Sequence, residues 1–242
     1  MKTLGRYIFL FVVAPLVVFS SACFFGEEKE NDPSGLEGSI TVSGAFALYP
    51  LMVKWGEEFR KIHPNVKFNI SAGGAGRGIS DVIGNLGDLA LVSRDLKKPE
   101  KERGALPIAV TKDAVLPTIN ASNPNINEIL QRGISKESFY KLFIENSVSD
   151  WQQLGFAISS KTHVYTRSDA AGAAESWAKY LGKKQEDLEG VGVFGDPGLL
   201  QAVLKDANAV GYNNIGYVFD LKTKQPLQGV KIIPIDINGN GV

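Results

Sequence analysis

Three turns of small residues, each directly before a predicted helix, are the parts of this sequence best suited to binding chemistry. They cover residues 44–50, 74–78 and 167–173. The first turn of a helix presents unpaired backbone N–H groups and the positive end of the helix dipole, and both attract anions. Taken singly, such a turn more often serves only to pack the backbone closely. If the three turns converge on one cleft, they form a pocket for a small anion without any net positive charge.

Alternating strand and helix patterns must bring these turns together. Strands are predicted at 39–43, 66–70, 89–92, 114–120, 162–166, 209–212, 215–219 and 230–237. Helical patterns lie between them, including 135–144, 172–181 and 199–204. Because a strand–helix–strand order builds parallel sheets covered by helices, the pattern indicates an α/β fold.

Composition excludes several classes of protein. The chain has 242 residues, with 26 Lys and Arg against 26 Asp and Glu. A formal charge of zero offers no basic field for nucleic-acid phosphates, so nucleic acid is excluded as a partner. A single cysteine excludes an intrachain disulfide, and two histidines leave little for a transition-metal site. No nucleophile–base pair or paired carboxylates can be named, so we expect a binding protein without a cofactor and not an enzyme.

The N-terminus has the pattern of an export signal. Lys2 and Arg6 precede an apolar run over residues 7–19, which is shorter than the roughly 20 residues that span a membrane. The following segment, ending at Cys23, looks like a bacterial lipobox, in which the cysteine is acylated. We therefore predict a lipoprotein signal peptide at 1–22, lipidation at Cys23, a flexible tether at 23–37, and anchoring in the periplasm or at the cell surface. A signal anchor, or plain secretion with a buried thiol, is the alternative.

Six motifs, in order, resemble the phosphate-binding proteins of bacterial ABC transporters. They are Gly44-Ala45-Phe46-Ala47-Leu48-Tyr49-Pro50-Leu51, Gly74-Ala75-Gly76-Arg77-Gly78-Ile79, Gly87-Asp88-Leu89-Ala90-Leu91-Val92-Ser93-Arg94, Ser149-Asp150-Trp151, Arg167-Ser168-Asp169-Ala170-Ala171-Gly172-Ala173 and Ile215-Gly216-Tyr217. The resemblance covers residues 39 to about 220. It implies a two-lobed periplasmic-binding-protein fold of type II, each lobe a mostly parallel sheet flanked by helices. Lobe one would comprise 38–112 and 211–242, and lobe two 113–210.

The resemblance also implies a ligand site at the hinge, in a degenerate form. Its predicted ligand-binding residues are Ala45, Phe46, Ala75, Gly76, Arg77, Asp88, Arg167, Ala171, Gly172 and Ala173. In the family, Ser and Thr hydroxyls from the three turns bind phosphate, and alanine or phenylalanine stands at the matching positions here. Each charge-assisted hydrogen bond is worth about 1.5–3 kcal/mol, so losing several without replacement lowers affinity by orders of magnitude.

Three charged side chains of this set have roles that the resemblance implies, and each has a simpler alternative. In the family, the residue matching Arg167 pairs with phosphate oxygens; the alternative is a salt bridge between lobes. Asp88 would accept the proton of hydrogen phosphate, or else cap the backbone or pair with Arg94. Arg77 would supply a second guanidinium, or else lie in solvent. Phe46 could fill the pocket, or line one for a less polar ligand.

Near the C-terminus, Asp236, Asn238 and Asn240 fit the first half of a calcium loop. The bidentate glutamate of such a loop would fall beyond Val242. An Asn- and Gly-rich hairpin turn is the favoured alternative, and we assign no metal site.

Together these features predict a lipid-anchored, monomeric solute-binding protein that delivers a small anion to an ABC permease. Phosphate is the ligand that the family implies. The alternative is a homologue that keeps the fold without that ligand and acts as an envelope sensor or scaffold.

Overall fold

The N-terminal part of the structure, a computed structural model that describes residues 34–220 and 222–240, is a small α/β lobe. Its elements are β1 (Gly38–Gly44), a 3-10 turn (Phe46–Leu48), α1 (Tyr49–Ile62), β2 (Val66–Ala72), α2 (Ala75–Ile83), β3 (Leu89–Leu91) and α3 (Lys98–Glu102). We call residues 38–102 the N-lobe. The strands form a parallel sheet in the order β2-β1-β3.

Residues 115–236 form a larger lobe, the C-lobe. Its elements are β4 (Val115–Asn120), α4 (Ile126–Arg132), β5 (Ile134–Ser135), α5 (Lys136–Phe143), β6 (His163–Arg167), α6 (Gly172–Tyr180), β7 (Val191–Val193), α7 (Gly195–Lys205), β8 (Ala209–Asn214), α8 (Ile215–Val218), β9 (Val230–Ile232) and β10 (Ile235–Asp236). Short 3-10 turns lie at Trp151–Leu154 and Gln185–Asp187. The main sheet has the order β7-β6-β8-β4-β9, in which β4 runs antiparallel to its neighbours, and β5 pairs with β10.

The two lobes differ in the size of their hydrophobic cores. The C-lobe core is built around Trp151, Trp177 and Phe143, all at most 2% exposed. The N-lobe core is a small cluster around Val42 and Leu91. Large aromatic side chains bury more apolar surface than aliphatic ones, so most hydrophobic stabilisation lies in the C-lobe.

Parallel strands explain how the three turns meet. In each lobe, a central parallel strand (β1 or β6) ends at the same edge of its sheet as its parallel neighbours, and the following turn leads into a helix. The carboxyl edge of such a sheet is where α/β proteins bind ligands. The predicted turns therefore face each other across the space between the lobes.

Three sequence-based assignments differ from the structure. The segment 211–242, assigned to lobe one, contains β8, β9 and β10, which pair with β4, β6 and β5 in the C-lobe. Strand β8 is buried at every residue, because it lies between two other strands of the sheet. Residues 215–219, predicted as a strand, contain the short helix α8; a brief apolar run does not distinguish the two. The predicted strand 230–237 is interrupted at Pro234, which has no N–H to donate.

The predicted α/β class is confirmed. The N-lobe sheet is entirely parallel, whereas the C-lobe sheet is mixed. Within residues 34–220 and 222–240, no helix is long and apolar enough to cross a bilayer. The predicted signal peptide, Cys23 and most of the tether lie outside the described residues.

Candidate functional site: a closed cleft around Arg167

Arg167, the last residue of β6, lies at the centre of the cleft. Its side chain is only 1% exposed. The guanidinium makes a two-pronged contact with Asp169, in which Nε lies 2.8 Å from Oδ1 and Nη2 lies 2.6 Å from Oδ2. Bidentate arginine–carboxylate pairs fix the plane of the guanidinium as well as its charge. Asp169 thus orients Arg167, and it leaves Nη1 as the terminal nitrogen for another acceptor.

That other acceptor is a second carboxylate of the same lobe. Asp196, in the first turn of α7, places Oδ2 2.6 Å from Arg167 Nη1. Asn214 donates to it twice, from its backbone N to Oδ1 at 3.1 Å and from Nδ2 to Oδ2 at 3.0 Å. Because its side chain is only 1% exposed, this carboxylate depends on these partners instead of water.

The charges of the cluster leave it with an excess of one negative charge, from two carboxylates and one guanidinium. Burial alone would lower the pKa of Arg167, but hydrogen bonding and attraction from Asp169 and Asp196 outweigh it and raise that pKa above its ordinary value. Burial first, and then the charge of Asp196, raise the pKa of Tyr217 and of Asp113. The surroundings therefore favour the neutral, protonated forms of Tyr217 and Asp113 more than water would.

Phe46 closes the cleft from the N-lobe side. Its ring centroid lies 5.4 Å from Arg167 Cζ, and its ring meets that of Phe194 edge-on at 5.6 Å. Tyr217 holds the turn by donating its hydroxyl to the Phe46 carbonyl at 2.9 Å. Gly195 lies directly under the ring, where an added Cβ would be 2.7 Å from Phe46 Cζ. Phe46 is therefore seated on the C-lobe and covers the buried arginine.

Backbone contacts hold the facing turns together. Gly76 N, in α2 of the N-lobe, donates to the Ala170 carbonyl of the C-lobe at 3.3 Å. A Cβ on Gly74 would lie 2.8 Å from Asp169 Oδ2, and one on Gly172 would overlap the Ser93 carbonyl. Only glycine permits approaches this close. The glycines of the second and third turns thus allow the lobes to close.

A salt bridge crosses the cleft at its rim. Arg94, just after β3, pairs with Glu100 in its own lobe at 2.7 Å and with Glu175 of α6 at 3.4 Å. Its side chain is 6% exposed, and hydrogen bonding to Glu100 raises its pKa above the ordinary value. Arg94 therefore links the lobes, a role considered for Arg167, and it does not pair with Asp88.

Most of the predicted ligand-binding residues line one closed space. The lining residues are Ala45, Phe46, Ala47, Gly74, Ala75, Ser93, Arg167, Ala171, Gly172, Ala173, Asp196 and Asn214. The space holds no volume for a water molecule. The alanines of this lining stand at positions where the resemblance implies hydroxyls. Seven of the ten residues predicted from sequence are thus brought together.

Gly76, Arg77 and Asp88 do not line this space. The side chain of Arg77 is 61% exposed and lies near Asp81 on its own helix, with Nε 3.6 Å from Oδ2. Asp88 is exposed at the amino end of β3, where its Oδ2 accepts a hydrogen bond from Thr41 N at 2.8 Å. The cleft lies at the opposite end of the strand. The positions of both residues match the simpler alternatives: Arg77 lies in solvent, and Asp88 caps a backbone N–H group.

Ser93, Asp196 and Asn214 line the cleft but were absent from the predicted set. Ser93 follows the carboxyl end of β3. Its position after a predicted strand could have identified it from sequence, because ligands bind at the carboxyl edge of a parallel sheet. Asp196 precedes a proline at the start of a helix, and that pattern taken alone predicts a helix cap. No comparable signal marked Asn214.

The loop with Asp236, Asn238 and Asn240 lies away from the cleft, beside an open groove of about 900 Å³ on the C-lobe. Asp236 Oδ1 accepts from Gly239 N at 2.8 Å, and Asn238 Oδ1 accepts from Asn240 N at 3.3 Å. These are the local contacts of an Asx-type turn. Within the described residues, no group of three or more His, Cys, Asp or Glu side chains is arranged to hold a metal ion.

Two α/β lobes that close over a buried arginine, with helix starts from both lobes around it, define a two-lobed solute-binding protein. A family model described as a PBP superfamily domain matches residues 30–240. The chain belongs to this family.

The chain is similar in sequence to known proteins and in fold to a solved structure. Phosphate-binding protein PstS of Bacillus subtilis is 26% identical over 236 residues, which cover 94% of this chain and 76% of that protein. Protein SphX of Synechococcus elongatus is 24% identical over 238 residues, covering 95% and 67%. A substrate-binding-protein structure from Clostridium perfringens with bound phosphate has a TM-score of 0.70 at 22% identity, over 82% of this chain and 76% of its own. The family membership and these relatives together confirm the resemblance to phosphate-binding proteins of ABC transporters and the expectation of a binding protein instead of an enzyme.

Proposed function

We propose that this protein captures a small oxyanion, phosphate in the first instance, and delivers it to the permease of an ABC importer. The observation that carries the proposal is the convergence of three helix-start turns from two lobes on the buried guanidinium of Arg167. Arginine and helix N-termini together suit an anion with several oxygens. The names of the relatives add phosphate as the ligand to test first. For a ligand to enter, the lobes must separate and Phe46 must withdraw.

Calorimetric titration of the mature protein with phosphate, sulfate and molybdate tests this function. We expect heat of binding for at least one oxyanion and its loss in Arg167→Met, which keeps the length of the side chain but not its charge. Arg132→Met is the matched control, because Arg132 pairs with Glu128 on the surface of α4. Absence of binding to any oxyanion by the folded wild type would refute the proposal.

The proposal includes a lipid anchor at Cys23 and a monomeric protein in the periplasm or at the cell surface. The order of basic, apolar and small residues before Cys23 supports it. Several acyl chains on one residue anchor a protein stably, whereas one chain binds a membrane only marginally. Metabolic labelling with palmitate should mark the wild type and leave Cys23→Ser unlabelled. Labelling of neither would contradict the anchor, while solute binding by the soluble protein is measured independently.

A second function is favoured by one observation: the cleft has no room for a water molecule and Phe46 covers it. In this alternative the protein stays closed without a solute and acts as an envelope sensor or scaffold. Small-angle scattering separates the two. A capturing protein should become more compact when phosphate is added, whereas a permanently closed one should keep the same radius of gyration in its presence and absence.

A further inference from the structure

Each of the three nitrogens of the Arg167 guanidinium already donates a hydrogen bond to a carboxylate of the same chain. Asp169 occupies Nε and Nη2, as an orienting partner in the same turn. Asp196, in α7, accepts the hydrogen bond of Nη1, and this residue itself lines the cleft. An oxyanion entering this space would approach the nitrogen that Asp196 already holds.

Backbone N–H groups around the cleft are engaged as well. Ala45 N donates to the Leu91 carbonyl at 2.7 Å. Ala171 N donates to Gln185 Oε1, and Gly195 N donates to Asp169 Oδ1, both at 3.1 Å. The closed state thus meets much of its own demand for hydrogen bonds, which is the condition for a buried polar site to persist without a ligand.

The position of Asp196 is not explained by helix capping. A capping carboxylate accepts hydrogen bonds from N–H groups of the helix that it begins. Among the described residues, the partners of this side chain are Arg167 on β6 and Asn214 at the end of β8, and none belongs to α7. Its contacts are therefore those of an anion bound between an arginine and an amide.

We infer that Asp196 is a tethered anion that competes with the solute for Arg167 and so determines the affinity and selectivity of the cleft. The inference rests on the proposed capture of an oxyanion. With Asp196 in place the buried cluster already has an excess of one negative charge, and a second anion beside it is opposed by like-charge repulsion. An oxyanion gains Arg167 only when Asp196 leaves it.

The test compares Asp196→Asn with wild type in calorimetric titrations with phosphate and with sulfate. Asparagine keeps an oxygen for Asn214 and removes the charge. We expect binding to tighten by about 100-fold or more, because one like charge is removed from a buried site. Asp206→Asn is the matched control, because this substitution removes the same charge. Asp206 lies at the other end of α7, where it contacts His163. The control variant should bind as wild type does.

The outcomes separate the inference from the function on which it rests. If wild type binds phosphate and Asp196→Asn binds no more tightly, the inference is overturned and the proposed function stands. If only Asp196→Asn binds, the inference is supported and wild-type capture of that anion is refuted. If neither folded protein binds, both are overturned. Asp196→Ser, which is also neutral and smaller, replaces the asparagine variant if that one does not fold.

Discussion

Removing the charge of Arg167 should destabilise the C-lobe far more than the loss of one hydrogen bond. The substitution Arg167→Met retains the aliphatic stem but leaves Asp169 and Asp196 facing each other without their cation. Their side chains are 6% and 1% exposed, so water does not replace the guanidinium. Breaking a buried ion pair by removing one partner costs about 3–5 kcal/mol, a large share of the roughly 5–15 kcal/mol that stabilises a typical domain.

The same reasoning predicts a rescue. A triple variant, Arg167→Met with Asp169→Asn and Asp196→Asn, has no buried charge left to solvate. Replacing a buried ionic cluster with neutral groups of similar volume is often neutral for stability. We therefore expect the triple variant to unfold with a free energy at least about 2 kcal/mol higher than that of Arg167→Met. A variant with more substitutions would thus be the more stable of the two.

Urea denaturation followed by tryptophan fluorescence measures both effects, because Trp151 and Trp177 lie in the C-lobe core. Lys141→Met is the surface control; Lys141 pairs with Glu137 in an exposed contact of α5, and its loss should not be measurable. The reasoning is refuted if Arg167→Met costs less than about 1 kcal/mol, since that would mean the carboxylates are solvated. It is also refuted if the triple variant is no more stable than the single one.

Two other perturbations have expected outcomes. Gly195→Ala adds a Cβ 2.7 Å from the ring of Phe46, at a backbone φ of 74° that disfavours alanine. We therefore expect a lower melting temperature and, by small-angle scattering, a more expanded protein. Unchanged values of both would contradict the packing of the Phe46 ring against Gly195. Burial alone would raise the pKa of Asp206, but hydrogen bonds, including those from His163 and Tyr165, outweigh it and lower that pKa. A lowered carboxyl pKa stabilises the fold above the unfolded-state value of about 4 and ceases to do so as the pH falls through the folded-state value. Asp206→Asn should therefore be less stable than wild type at pH 7, with the difference closing in acid, and a difference independent of pH would refute this linkage.

The three turns and Arg167 could be predicted from sequence because their signals are local. Small residues before an apolar helical pattern mark a strand-to-helix turn wherever they occur. Parallel strands then bring such turns to one edge without further information. Phe46 was predicted to fill the pocket or to line one, and in the structure it covers Arg167.

The position of Asp88 could not be predicted from local sequence patterns. The motif around it was placed correctly on a strand, but the residue precedes β3, while the cleft lies beyond the other end of that strand. The direction of the strand relative to the site decides between Asp88 and Ser93. Asp88 was assigned because the family resemblance implies an aspartate that accepts the proton of hydrogen phosphate. The rule that sites lie at carboxyl ends would have selected Ser93.

Asp196 could not be found in this way. Its partner Arg167 is 29 residues away in sequence, and the contact depends on how α7 packs beside β6 and β8. An aspartate before a proline at a helix start has a sufficient local explanation as a cap. Only the packed structure shows that this carboxylate points away from its own helix and into the site.

The unequal cores of the two lobes have a consequence for the way this protein opens. The N-lobe, with its small core, also leaves Trp55 and Phe59 of α1 partly exposed, at 43% and 37%. Regions with few buried apolar contacts undergo local unfolding at lower free energy than the rest of a fold. Amide hydrogens of β1 and α2 should then exchange with solvent before those of β6 and β8. Whatever holds the lobes together therefore also protects the N-lobe backbone. Occupancy of the cleft could then be measured as slowed exchange in the N-lobe, whose described residues place no charged side chain in the lining of the closed space.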